Sequence, residues 1–269
     1  MQVSKPSSKR ASRLASRPAT SRAGFHARGP AGTLAAMIIS VAPIKGGVGK
    51  STVSVHLAAW LAEKGLSTML LDCDPQESSS RWVEAACPTV RIENVTEADV
   101  LFECLPKLAA EVDVVVADGP GNNSEISRAL LSWADLALLP CKAGQLELDS
   151  LAQTVRVLRQ VQALRKGPPD AVVILNQVQE RYLLTQTMRE HLNGLGVAIA
   201  PNALAFRQIY ADAPGQGKVV WQMEESEPRA ARVASAELFG IFRTLIPDLE
   251  GPSKAKARKT KSKKALSTR

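Results

Sequence analysis

The sequence predicts one α/β domain, a mostly parallel twisted sheet with helices on both faces, flanked by two disordered basic tails. Three observations carry that expectation. From residue 37 onward short apolar runs alternate with amphipathic stretches, the pattern of a parallel sheet wrapped by helices. Several runs, such as Val112-Asp113-Val114-Val115-Val116-Ala117, are nearly continuously apolar, as strands buried on both faces are. The composition is 45% apolar but only 4% aromatic, so the core that such a sheet needs is available and must be mostly aliphatic.

Taken in chain order, the first strand is expected at 37–43, opening on Met37-Ile38-Ile39-Ser40-Val41-Ala42, and it leads through a glycine-rich loop into a helix at 50–64. A strand at 67–72 ends at the acidic turn Asp72-Cys73-Asp74-Pro75-Gln76 and gives way to a helix at 76–86. Helical periodicity at 97–110 precedes the apolar strand at 112–117 and resumes at 124–133. A strand at 135–140, a long helix at 147–165 and a strand at 171–176 follow. Helix 183–194, strand 196–200 and helix 230–245 complete the domain, taken as 37–250. Asp72, Asp118, Pro140 and Asn176 all fall at carboxyl ends of strands, the edge at which open α/β sheets bind ligands.

The net charge of +8 belongs to the ends. Residues 1–36 carry seven Lys and Arg, residues 251–269 carry eight, and all 26 acids lie between. Both ends are poor in large apolar residues and should be disordered. The lysine-rich tail suits a polyanion tether, because flexible Lys/Arg clusters gain affinity for phosphate backbones by counterion release. The 1–36 leader reads either as a transit-peptide-like segment or as a product of start-site choice, since initiation at Met37 would lose no element. No run approaches the ~20 apolar residues of a membrane span. Cys73, Cys87, Cys104 and Cys141 form no CxxC pair, which fits a reducing cytosol.

Chemistry concentrates in Lys45-Gly46-Gly47-Val48-Gly49-Lys50-Ser51-Thr52, between a strand and a helix. Three glycines let the backbone turn its N–H groups toward phosphate oxygens, and the helix start adds its positive dipole end. Lys50 is placed to reach the β- and γ-phosphates and the Ser51 hydroxyl to ligate Mg²⁺. The generic phosphate-loop pattern wants a further glycine where Ile44 stands. Val114-Val115-Val116-Ala117-Asp118-Gly119-Pro120-Gly121 reads as a Walker B strand, with Asp118 holding Mg²⁺ through water. Strand alternation would point Asp72 and Asp74 to one side. Asn176 is either an adenine-reading side chain or the cap of an Asx-type turn.

Lys45 separates this loop from ordinary phosphate loops, and with it the sequence resembles the ParA/MinD family of deviant-Walker ATPases, nearest to small plasmid-type, ParF-like partition proteins. The resemblance implies ATP and Mg²⁺ as cofactors and an ATP-dependent homodimer in which Lys45 reaches the partner's nucleotide. It assigns Asp74 to the attacking water and Asp72 to the Mg²⁺ shell. It implies non-specific DNA binding, stimulation by a ParB-like partner and a cytoplasmic, nucleoid-associated life. DNA contacts would fall to Arg156, Arg159, Arg165, Lys166 or the basic tail. A MinD-like or cargo-positioning ATPase at a membrane or protein cluster is the alternative, with the membrane disfavoured because 251–269 offers only Leu266 as a bulky apolar residue. His26, His56 and His191 show no ligand spacing, and the four tryptophans read as packing residues.

Overall fold

The computed structural model describes residues 36–41, 46–121, 125–179 and 181–247. Lys45, the 1–35 leader and the 251–269 tail lie outside the described residues. The elements are β1 (Met37–Val41), α1 (Lys50–Glu63), β2 (Thr68–Asp72), α2 (Ser78–Ala86), β3 (Arg91–Asn94), α3 (Ala98–Ala109), β4 (Val114–Asp118), α4 (Glu125–Trp133), β5 (Leu136–Cys141), α5 (Gln145–Arg165), β6 (Asp170–Val178), α6 (Leu183–Leu195), β7 (Ala198–Ile199), β8 (Leu204–Ala205), α7 (Gln208–Gly215) and α8 (Pro228–Leu245), with a 3-10 turn at Val220–Met223.

All the strand pairs are parallel, in the order β3-β2-β4-β1-β5-β6-β7, and β8 pairs with β6 beyond the end of β7. Alternation explains why central strands read as solid apolar runs. On β4, Val114 and Val116 face the core shared with α1, α2 and α8, whereas Val115 and Ala117 face α3 and α4. On β5, Leu136 and Leu138 join the first core, while Ala137, Leu139 and Cys141 pack with α5 and α6. Both faces are covered, as parallel sheets require. α1, α2, α7 and α8 lie on one side, and α3 to α6 lie on the other.

The expected helices and central strands are present, with ends shifted by one or two residues. Four short elements fall outside the expectation. β3 is a polar edge strand, Arg-Ile-Glu-Asn, with no apolar alternation to announce it. The 196–200 strand shrinks to two residues, and β8 supplies a second two-residue pairing. α7 and the 3-10 turn lie around Pro214 and Gly215-Gln216-Gly217, composition that reads as loop. Their apolar side chains, Ile209, Ala213, Val220 and Met223, are buried beneath α8, so tertiary packing rather than propensity fixes them.

Candidate active site

Three strands end side by side at the centre of the sheet, because the parallel register pairs Val41 with Asp118 and Asp118 with Asp72. The loop entering α1 crosses this edge. Gly47 and Gly49 take φ of 73° and 89°, a left-handed backbone that side chains resist. At Gly49 a Cβ would also lie 2.1 Å from Asn176 Nδ2, so only glycine fits.

Lys50 opens α1 and is buried at 7% exposure. A Cβ on Gly121 would sit 3.7 Å from its Nζ and 3.3 Å from Gly46 Cα, so Gly46, Lys50 and Gly121 converge on one spot. Among the described residues no ion pair holds the Lys50 amine. A phosphate group would supply the missing counter-charge.

Asp118 is 1% exposed and accepts a 2.9 Å hydrogen bond from Ser54 Oγ, and the Ser51 hydroxyl faces the same carboxylate. Ser79 Oγ faces the same carboxylate yet is buried without a hydrogen bond of good geometry. Burial raises the Asp118 carboxyl to about 6; the nearby Ser51 hydroxyl opposes the rise and the charge of Asp72 adds to it. A pair of buried acids beside two serine hydroxyls fits Mg²⁺ and its water shell in donor type: hard oxygen ligands, and negative charge that a cation would relieve.

Asp72 is committed to the following turn. Its Oδ2 accepts from the Ser80 amide at 2.9 Å and from Ser80 Oγ at 3.0 Å, and its Oδ1 accepts from the Asp74 amide at 3.1 Å. The alternation argument for Asp74 therefore needs correction. β2 stops at Asp72, and Asp74 lies in a turn whose Oδ1 accepts from the Gln76 amide at 3.0 Å. Turn geometry, not strand pleat, aims it.

Asn176 is held by two hydrogen bonds at the end of β6. Its Nδ2 donates to the Val48 carbonyl at 2.7 Å and its Oδ1 accepts from the Gln177 amide at 2.8 Å. The side chain braces the phosphate loop and caps a local turn, leaving one N–H and part of the oxygen for any base contact. Val48 itself is buried and Thr52 partly so.

A profile of the CobQ/CobB/MinD/ParA nucleotide binding domain matches residues 39–220. The chain belongs to this family. It is a ParA/MinD-type P-loop ATPase, with ATP and Mg²⁺ as its cofactors. It is 30% identical over 229 residues to Protein ParA of Rhizobium radiobacter, spanning 79% of this chain and 99% of that one. It is 28% identical over 222 residues to Maintenance of carboxysome distribution protein A of Halothiobacillus neapolitanus, spanning 79% and 97%. Among solved structures, an ATP complex of a Cyanothece McdA variant aligns over 77% of this chain and 97% of that one with a TM-score of 0.59 at 18% identity. MinD of Aquifex aeolicus aligns over 78% and 97% with a TM-score of 0.60 at 15% identity. These two likenesses concern the fold.

Ser54 and Ser80, which bond to the two acids, are residues that the motif reading passed over, whereas Gly121 belongs to the Walker B motif already singled out. Ser54 stands three residues after Ser51 on one helix face, a spacing that could have revealed it. His56 is structural, as its isolated position suggested. It is fully buried, with Nδ1 at 2.7 Å from the Thr52 carbonyl, Nε2 accepting from the Val220 amide at 3.1 Å, and Trp82 and Trp221 rings at its edges. Burial lowers its pKa to about 4.

The four basic candidates lie toward the C-terminal end of α5, which runs back from the strand ends, so they stand at the opposite edge of the sheet from the phosphate loop. All four are exposed, but Arg159 donates to the Leu195 carbonyl and Arg165 to the Ala134 carbonyl, at the ends of α6 and α4. Two of the set thus double as helix caps. No described helix is long and apolar enough to cross a membrane.

Proposed function

We propose that the protein is a partition or positioning ATPase in which MgATP seats on Gly46 to Thr52 and closes two copies into a dimer. The observation that carries this reading is the convergence of Gly46, Lys50 and Gly121 at the strand ends that hold the paired acids Asp72 and Asp118. Bound Mg²⁺ would supply Lewis-acid charge at the phosphates. The chain's own part is to hold it: Ser51 and Asp118 from the α1 and β4 sides, Asp72 through the β2 edge. Lys50 neutralises phosphate charge, and amides of the glycine turn orient the group. Asp74, set by the Asp72-anchored turn, orients the attacking water. Lys45 reaches the nucleotide of the second copy.

The ATP-bound dimer would bind DNA non-specifically and release it when a ParB-like partner stimulates hydrolysis, placing the protein on the nucleoid. The near full-length match to a ParA protein supports DNA as the cargo. The match to a carboxysome-distribution protein supports a second reading, in which a protein assembly is the cargo and the same DNA-bound dimer is the track.

The test combines light scattering with DNA binding, with and without ATP, between about 50 and 200 mM salt. The expected result is a dimer only with ATP, and DNA binding that needs ATP and weakens steeply with salt. A protein that stays monomeric when saturated with ATP, or that binds DNA regardless of nucleotide and salt, overturns the proposal.

A further inference from the structure

The polar edge strand β3 ends on Asn94, and the parallel register sets Asn94 beside Asp72 as it sets Asp72 beside Asp118. The next amide, that of Val95, donates to the Asp72 carbonyl at 3.1 Å, so the ends of β3 and β2 stay joined. Ser80, in the first turn of α2, completes the group. It is 6% exposed, with Oγ at 3.0 Å from Asp72 Oδ2 and 2.6 Å from Asn94 Oδ1. A hydroxyl has one proton and cannot give it to both oxygens. The two ends of an asparagine amide have the same shape, and turned over it presents Nδ2 to Ser80 Oγ. Asn94 then donates to Ser80, and Ser80 donates to Asp72.

Asp72 is the part of the site that needs such an anchor. Its carboxylate is 1% exposed, and burying that group is costly unless donors surround it. Three do so, and two of them, the amide and Oγ, belong to Ser80. With Oδ2 filled by Ser80 the carboxylate is locked against rotation, and Oδ1 is held against the Asp74 amide. That contact opens the turn in which Asp74 stands. The turn closes where the Glu77 amide donates to the Asp74 carbonyl at 2.9 Å, and Glu77 itself takes a left-handed φ of 50°. Backbone strained in this way persists only where its anchors over-determine it.

We infer that Asn94 and Ser80 are positioning residues for hydrolysis, a relay through Asp72 that fixes the turn presenting Asp74 to the attacking water. Both act through Asp72 and not on the nucleotide. The inference rests on the reading of Asp74 as the group that orients the water, and the test separates the two.

Three quantities are measured for wild type, S80A, S80T, N94A and N94D: ligand-free amide exchange, Mg-ATP affinity by calorimetry, and single-turnover hydrolysis. S80A should let the Asp74 amide exchange about tenfold faster and keep Mg-ATP affinity within about twofold. It should hydrolyse ATP about ten- to a hundredfold more slowly. S80T keeps the hydroxyl and should restore both exchange and rate. N94D sets a second carboxylate against the Ser80 hydroxyl and draws its proton away from Asp72, so it should approach S80A. N94A leaves that proton to Asp72 and should be milder than N94D. Unchanged Asp74 exchange in S80A refutes the relay. Affinity and rate falling together in S80A also refute it and make Ser80 merely structural. Faster exchange with an unchanged rate refutes Asp74 as the water-orienting group, and with it the relay's part in hydrolysis. Should S80A fail to fold, N94D decides, since Asn94 is exposed at the sheet edge: hydrolysis at the wild-type rate overturns the relay.

Discussion

The Asn176 amide nitrogen and the Val48 carbonyl meet at 2.7 Å across 128 residues of sequence, joining the end of β6 to the crest of the phosphate loop. The loop's shape therefore depends on a strand two places away in the sheet. Gly49 lies directly against the same amide and has no room for a side chain.

Asn176→Asp should accordingly harm nucleotide binding more than Asn176→Ala. Alanine leaves the buried Val48 carbonyl unsatisfied, at about 1–3 kcal/mol. Aspartate faces that carbonyl with another acceptor. Calorimetric titration with Mg-ATP checks the order, and an Asn176→Asp protein with wild-type affinity would break the brace argument.

Lys50 stands at the strand-end edge with no ion pair to its amine among the described residues. Lys50→Met should abolish ATP binding while leaving the ligand-free fold within about 1 kcal/mol of wild type, because much of its stem is kept. Urea unfolding without nucleotide measures this. A lower midpoint for Lys50→Met would show that the amine is already neutralised within the fold.

Asp72 and Asp74 should part company under mutation. Asp74→Ala should keep ATP and accumulate the dimer while turnover falls about a hundredfold or more. Asp72→Ala should also cost stability, since three hydrogen bonds anchoring the β2–α2 turn disappear. Partner-stimulated phosphate release at the wild-type rate in Asp74→Ala would remove that residue from the reaction.

His56 sets a pH dependence whose sign is fixed. Folded, its pKa is lowered to about 4 from 6.5 by burial, so between those values the unfolded chain binds more protons. Its contribution is complete above pH 6.5 and is lost as pH falls through 4, up to about 3 kcal/mol. Asp118, raised from 3.8 to about 6, tilts the other way and weakens the fold as pH rises through 6. The difference between wild type and His56→Gln in urea melts at several pH values isolates the histidine. A difference that stays flat from neutral pH to 4 would contradict its burial as a neutral ring.

Arg156 and Lys166 should affect DNA affinity alone, whereas Arg159→Ala and Arg165→Ala should also lower the melting temperature by releasing carbonyls of α6 and α4. Parallel melting and DNA-binding curves separate the two pairs. Equal melting temperatures for all four variants would show that the two capping bonds contribute nothing to stability.

The sequence by itself determined the parallel α/β architecture, the strands covered on both faces, the phosphate loop and the strand ends at Asp72 and Asp118. Periodicity and glycine placement are local signals, and burial on two faces writes itself as an unbroken apolar run. Only the tertiary structure decided what Asn176 holds, where Asp74 turns, that Ser54 and Ser80 support the acids, and that β3, β8 and α7 exist. Those features come from partners distant in the chain, or from packing that overrides weak local preference, and no window of neighbouring residues contains them.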